Sequence, residues 1–316
     1  MILLYMKLNN VFYIVLLLLL LLLCAYVSIE HVFYTYETME NEESSNDVPK
    51  TIWTYWDKEP LPDFIEKCID SWRKHNPNYK VIVLNNSNLN TYLPDLDMNN
   101  MKHVEGPAHF SDVIRVHIIA KYGGIWSDAS VICLQSYDPI LERMKKKNFD
   151  FFGYHIDGSR DHINGSSDNM KNDFPVIENW FFAAPPKATI ISDWKDKLME
   201  CQQYNTKDDY LNELKKTTNL DKIQDTMQTY LWMHCAMQGI LQKNKGQYNI
   251  EVRKAQDGPF RFLQENEWNT DKAADELITC KRGNKKCNYF DTPFIKFTGG
   301  ARADMMNKDY SVLFHQ

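Results

Sequence analysis

Three charged residues stand in apolar surroundings within residues 110–131, FSDVIRVHIIAKYGGIWSDASV: Asp112, Arg115 and Asp128. Two carboxylates can accept hydrogen bonds from hydroxyls or ligate a hard cation, and a guanidinium adds a rigid fork of donors. Groups of this kind, set among Ile, Val and Trp, are either the polar fringe of a core unit or the working end of a binding site. Asp112 and Arg115 lie three apart, so a helix places them on one face. Asp128 sits among Ser127, Ala129 and Ser130, whose small side chains leave a carboxylate open to a ligand or metal.

The elements that must position these residues follow from periodicity. Phe110, Val113, Ile114, Ile118 and Tyr122 recur at helical spacing. Gly123-Gly124 then stops that helix, because glycine supplies the positive φ of a C-terminal turn. Residues 125–134 read as one β-rich strand interrupted by 127–130. Upstream, residues 50–55 read as a strand, 63–75 as a helix ended by Asn76-Pro77, and 79–84 as a second, almost wholly apolar strand. That order makes a right-handed βαβ unit. Further strands are expected at 150–155 and 179–184, with a polar loop at 157–173 between them. Helices are expected at 188–203, 208–216 and 225–242, the last with Asp225 as N-cap and His234 packed on its apolar side. Residues 293–298 close the sheet. Alternating β and α elements predict an open α/β sandwich, a mainly parallel sheet flanked by helices, with ligands outside the carboxyl ends of the strands. No internal repeat and no P-loop is present.

The string YGGIWSDASV resembles the YGGIYxDxDx signature of glycosyltransferases with a DXD sugar-binding motif, family 32 among them. It is closer still to the capsular polysaccharide synthesis family, whose strand often reads GGIWxDAxV, and SDVIR matches that group's SDxxR. PKTIWTYWD at 49–57, SWRKHNPNYKVIVLN at 71–85, ENWFFAAPP at 178–186 and FIKFTGG at 294–300 resemble further blocks, in the family's order. The resemblance implies a GT-A-like fold that binds a nucleotide-diphosphate sugar. It implies donor-sugar contacts for Asp112 and Arg115, base stacking for Trp53, further substrate contacts for Trp126 and Asn179, and a catalytic role for Asp128. It also implies a divalent metal, Mn²⁺ or Mg²⁺, held at Asp128 and at position 130, where it would bridge the donor's phosphates. Here the chain departs from the pattern, because the second acid is Ser130, a neutral and weaker ligand. Asp138, Asp157 or Glu178 could substitute, or Lys296 or Arg302 could meet the diphosphate without a metal. His109, just before SDVIR, is a further candidate for a donor or acceptor contact.

Composition adds boundaries. The net charge of −6 gives no support for a nucleic-acid partner, which would want a basic patch. Residues 11–29, VFYIVLLLLLLLLCAYVSI, are long and apolar enough to cross a bilayer as a helix. Lys7 precedes the run and Glu30, Glu37 and Glu40 follow, so a type II signal anchor is expected; a cleaved signal peptide would need a small-residue site that does not follow. The reading is therefore a cytosolic tail at 1–10, a transmembrane anchor at 11–29, an acidic stem at 30–47 and a transferase domain at 48–316. The setting would be the Golgi membrane in a eukaryote and the cell envelope otherwise. Six of the seven cysteines follow the anchor; Cys280 and Cys287 flank a basic loop they could close as a disulfide, while Cys68, Cys133 and Cys235 read as buried thiols. The expected activity is hexosyl transfer from a nucleotide-diphosphate sugar to a glycan or glycoconjugate. The alternative is a weak or inactive GT-A relative that binds glycans or scaffolds another enzyme, suggested by Ser130.

Overall fold

Strand β1 (Thr51–Tyr55) has all five residues buried and stands between β2 (Lys80–Leu84) and β3 (Gly124–Ser127), parallel to both. A strand covered on both faces is the product of a continuous β-prone run, TIWTY, with no polar side to turn outward. The computed structural model describes residues 47–156, 174–283 and 286–314. The apolar run at 11–29, residues 30–46 of the stem expected at 30–47, and the loop at 157–173 with Asp157 lie outside them. Among the described residues no helix is long and apolar enough to cross a membrane.

Helix α1 (Asp63–His75) has the bounds its spacing predicts. Phe64, Ile65, Cys68, Ile69 and Trp72 are buried, with acids in the first turn and Arg73, Lys74 and His75 in the last, matching the helix dipole. It stops where Asn76 takes over: its Nδ2 donates to the Trp72 carbonyl and its Oδ1 accepts from the Tyr137 amide at 2.7 Å. Helix α2 (Gly106–Tyr122) carries Asp112 and Arg115. It is buried on nearly every side, which its apolar sequence allows and which forces its two charges to find partners inside. Gly123 and Gly124 end it at φ +63° and +98°. A Cβ at Gly123 would lie 2.5 Å from the Pro186 nitrogen and one at Gly124 2.6 Å from the Thr51 carbonyl, so both positions require glycine for space as well as for φ.

The strand expected over 125–134 is instead two. After β3 the chain turns at Asp128, whose amide donates to the Trp180 carbonyl at 2.8 Å, and β4 (Val131–Cys133) leaves the main sheet. There it pairs antiparallel with β8 (Phe294–Lys296) in a separate two-stranded sheet. Residues 293–298 therefore do not close the main sheet. The cause is tertiary: Trp72 Nε1 donates to the Val131 carbonyl at 2.7 Å, Ser71 Oγ accepts from the Cys133 amide, and Ser130 exchanges hydrogen bonds with Phe297. Helix α1 and the 297 region pull β4 out of line.

The six-stranded sheet runs β2-β1-β3-β6-β5-β7, with β5 (Phe151–Ile156), β6 (Val176–Ala184) and β7 (Ile250–Lys254) beyond β3. Only β6 runs against the others, so the mainly parallel reading stands, with one reversed strand at its centre. Strand β7 lies in the stretch 243–292, to which periodicity assigned nothing; its residues are half-buried at an edge and carry no clear alternation. The helix expected at 225–242 is broken. Asp225 opens a short 3₁₀ turn (Asp225–Met227) and pairs with Lys215 at 2.9 Å, so it is not the N-cap of the long helix, which runs over Trp232–Lys243. That break turns Tyr230 and Trp232 toward α2. A disulfide joins Cys280 and Cys287, whose Cα atoms are 6.0 Å apart, and the cysteines at 68, 133, 201 and 235 are buried thiols.

Candidate active site

Strands β1 and β3 both point their carboxyl ends at a cleft of about 700 Å³. Tyr55 and Trp56 line it from the end of β1, Asp128, Ala129 and Ser130 from the turn after β3, and Asp112 and Arg115 from α2. Asn179 and Trp180 enter from β6, and Lys296, Thr298, Gly299, Gly300 and Arg302 from β8 and the helix that follows it (Gly299–Met306). The edge of an α/β sheet is where backbone geometry leaves room for a ligand.

Arg115 organises the site. Its guanidinium lies 3.3 Å from Asp112 and 3.4 Å from Asp128, donates to the Asn179 carbonyl at 2.9 Å and to Ser111 Oγ at 2.7 Å, and its Nε donates to the Ser111 carbonyl at 3.1 Å. Three N–H groups of the fork are hydrogen-bonded within the protein and both carboxylates lie at ion-pair distance, so Arg115 braces Asp112 and Asp128. Its plane also lies over the Trp126 ring, 5.2 Å from the centroid.

Asp112 accepts from Asn179 Nδ2 at 2.9 Å and from Trp232 Nε1 at 2.9 Å. Burial pushes its carboxyl up to about 6, against the pull of Arg115 and Trp232. Asp128 is different. Burial acts on it in the same direction, but Lys296 at 2.9 Å and Arg115 outweigh that and hold its carboxyl below the usual range. With 26% of its side chain exposed, Asp128 reaches the cleft as an anion. One carboxylate is held ready to gain a proton and the other is kept from doing so.

His109 lines the same cleft. Lys207 Nζ lies 3.0 Å from its Nδ1, and burial, with the Lys207 charge, lowers the imidazole's affinity for a proton. His234, read as a packed helix residue, is buried but also lines the cleft.

Two of the expected substrate contacts are elsewhere. Trp53 is fully buried, donates from Nε1 to the Gly123 carbonyl at 3.0 Å, and stacks on Tyr122 at 5.4 Å. It holds β1 to the Gly-Gly turn and cannot face a base. Two aromatics do line the cleft from this strand end, Tyr55 and Trp56, and Arg302 lies 5.3 Å from the Trp56 ring centroid. Trp126 is likewise fully buried; its indole N–H donates to Asp128 Oδ1 at 3.1 Å, so it positions the carboxylate without lining the cleft. Periodicity had no means of separating Trp53 from Trp56, because β1 is buried on both faces.

The divalent metal that the DXD resemblance implies at Asp128 and Ser130 finds a poor donor set. Ser130 Oγ donates to the Phe297 carbonyl at 2.9 Å and accepts from Lys296 Nζ at 3.0 Å. Asp128 Oδ2 already accepts from the same ammonium. A hard dication wants several oxygens around it, and here an ammonium stands among the nearest ones. Among the described residues no group of three or more His, Cys, Asp or Glu side chains could hold a metal. Asp138 pairs with Lys50 at 2.7 Å and does not line the cleft, whereas Glu178 does line it. The residues present do not fit a metal.

The model of the capsular polysaccharide synthesis protein family matches residues 24–213. Among curated proteins, the glycosyltransferase afumC of Aspergillus fumigatus is 26% identical over 105 residues, covering 29% of this chain; the match spans only 27% of that relative's own length. Among solved structures, the ligand-free glycosyltransferase domain from the YGT toxin aligns with a TM-score of 0.40 at 9% identity, over 85% of this chain and 90% of that one. The UDP-bound form of that domain gives 0.35 at 11%, over 66% and 80%, and the PaToxG glycosyltransferase 0.32 at 14%, over 92% and 95%.

Proposed function

The chain belongs to the capsular polysaccharide synthesis protein family, and from that premise we propose that it is a glycosyltransferase moving a hexose from a nucleotide-diphosphate sugar to a glycan or glycoconjugate. The observation that carries this reading is the pair of carboxylates, Asp112 and Asp128, cross-braced by Arg115 at the carboxyl edge of the sheet. Asp112 and Asn179 offer acceptors and donors for sugar hydroxyls on the α2 side of the cleft. Asp128 and Lys296 face the diphosphate end. Arg115 and Trp126 are positioning residues, and the kinship with family 32 rests on the motif blocks alone. Residues 11–29 are proposed to anchor the chain in a membrane, an assignment supported by their length and apolarity.

The deciding experiment is a donor screen with the full chain in mild detergent, scoring release of nucleoside diphosphate from a panel of nucleotide-sugars. One donor is expected to turn over above background. Binding of none, and release from none, would leave the glycan-binding or scaffolding alternative in its place.

The two tryptophans separate by their readouts. Trp53→Phe is expected to lower unfolding stability by about 1–3 kcal/mol, through a lost buried hydrogen bond and a cavity, with nucleotide affinity unchanged. Trp56→Ala should instead weaken nucleotide binding by about 1–3 kcal/mol of lost stacking, with a small effect on unfolding. Paired urea melts and nucleotide titrations measure both; the reverse pattern would return the platform to Trp53.

A further inference from the structure

Resting on the transferase reading, we propose that Lys296 supplies the cation the donor diphosphate needs, so that this chain binds and uses its donor without a divalent metal. The side chain of Lys296 is only 8% exposed, yet the residue lines the cleft. Two of its three N–H groups are accounted for, by Asp128 Oδ2 at 2.9 Å and Ser130 Oγ at 3.0 Å. Those two bonds aim the ammonium, and the third hydrogen remains for a ligand oxygen.

Ser130 is central to the argument. An acid there would give Lys296 a second counter-charge and spend its positive field inside the protein. A serine orients the ammonium without neutralising it, and Ser130 is itself held by the Phe297 carbonyl at 2.9 Å. Asp128 is meanwhile shared between Lys296 and Arg115, and Arg115 is itself shared with Asp112, so Lys296 has no carboxylate to itself. Arg302 lines the same wall. A buried, pre-aimed cation costs no reorganisation when a phosphate arrives or when charge develops on it. A dication entering beside Lys296 would meet a fixed like charge within bonding distance of the only carboxylate of the turn.

In the reaction, the bond between the anomeric carbon and the β-phosphate oxygen breaks and its electron pair stays on that oxygen. Lys296 stabilises the departing diphosphate through an N–H···O contact and keeps its proton. The acceptor oxygen forms the new bond to the anomeric carbon, and the acceptor's hydroxyl proton is taken up by the released diphosphate.

The test is calorimetric titration of the full chain in detergent with ADP, CDP, GDP and UDP, in excess EDTA and in millimolar Mn²⁺ or Mg²⁺. At least one diphosphate is expected to bind with affinities agreeing within about twofold in the two conditions. Lys296→Met should lose at least about tenfold for that diphosphate and much less for the monophosphate, and Lys296→Arg should recover most of the loss. Binding that disappears in EDTA and returns with metal overturns the metal-free role while leaving the transferase reading intact. Binding of no diphosphate in either condition overturns both. The wild-type comparison needs no variant to fold; for a folded Lys296→Met, wild-type affinity for the diphosphate would also overturn the proposal.

Discussion

Asp128→Asn is expected to reduce transfer by about 10²–10³-fold, the range for removing one preorganised charge from a catalytic site. Asparagine keeps the shape of the side chain and removes the anion that Lys296 and Arg115 share. Both cations are buried, with side chains 8% and 5% exposed; Arg115 keeps Asp112, but Lys296 is left with no paired carboxylate and with Arg115 nearby. Breaking a buried pair costs about 3–5 kcal/mol, and the lower end applies here because Asp128 is partly open to solvent. The substitution should therefore lower both rate and unfolding free energy. A double variant with Lys296→Met should regain stability without regaining rate, since the unpaired cation is gone while the site remains incomplete. Initial rates and urea melts on the three proteins check this; a fully active Asp128→Asn would remove the residue from the machinery. The sign of the acid response follows from the same contacts. A carboxyl held below its ordinary 3.8 contributes stability above that pH and loses it as pH falls through the lower folded value, so Asp128's contribution is intact throughout the neutral range.

Asp112 predicts a pH limb. Its carboxyl is pushed up to about 6 by burial, so at neutral pH it is an anion that accepts from Trp232 and Asn179, and below about pH 6 it takes a proton. If a sugar hydroxyl needs that anion as acceptor, the rate should fall about tenfold per pH unit below about 6. Stability moves the other way. A carboxyl whose folded value is raised above 3.8 is tighter for its proton in the folded chain, so ionising it costs stability as pH rises from 3.8 to about 6, with no further change above. Over that window the protein should gain activity while losing stability. Trp232→Phe removes a hydrogen bond that favours the anion, so the limb should move to higher pH. Asp112→Asn should abolish the limb along with most of the rate, and Asp128→Asn should keep it. A limb that stays put in Trp232→Phe would detach it from Asp112.

Much of this site is legible in the residues themselves. An i, i+3 pair of charges on an otherwise apolar helix has to be satisfied inside, and Asp112 and Arg115 are 3.3 Å apart. The Gly-Gly stop is legible because only glycine fits both the φ and the space. Helix α1 has the predicted bounds because its apolar stripe and its stop signal agree. The strand break at Asp128 was hidden, since the bonds that make it come from Trp72 and Phe297, far along the chain. Which of the aromatics at 53, 55 and 56 reaches the cleft is hidden for a similar reason: a strand buried on both faces has no alternation to show which side chain leaves the core.

By itself, then, the sequence determined the kind of site, two carboxylates and an arginine at the edge of an α/β sheet, because local period and glycine sterics act within a few residues. What the tertiary structure alone decided is which cation meets them. Lys296 stands 168 residues from Asp128, and no local pattern links them. Only the pairing of β4 with β8 brings the ammonium to the carboxylate and to Ser130, where burial gives a single charge the reach that water would screen.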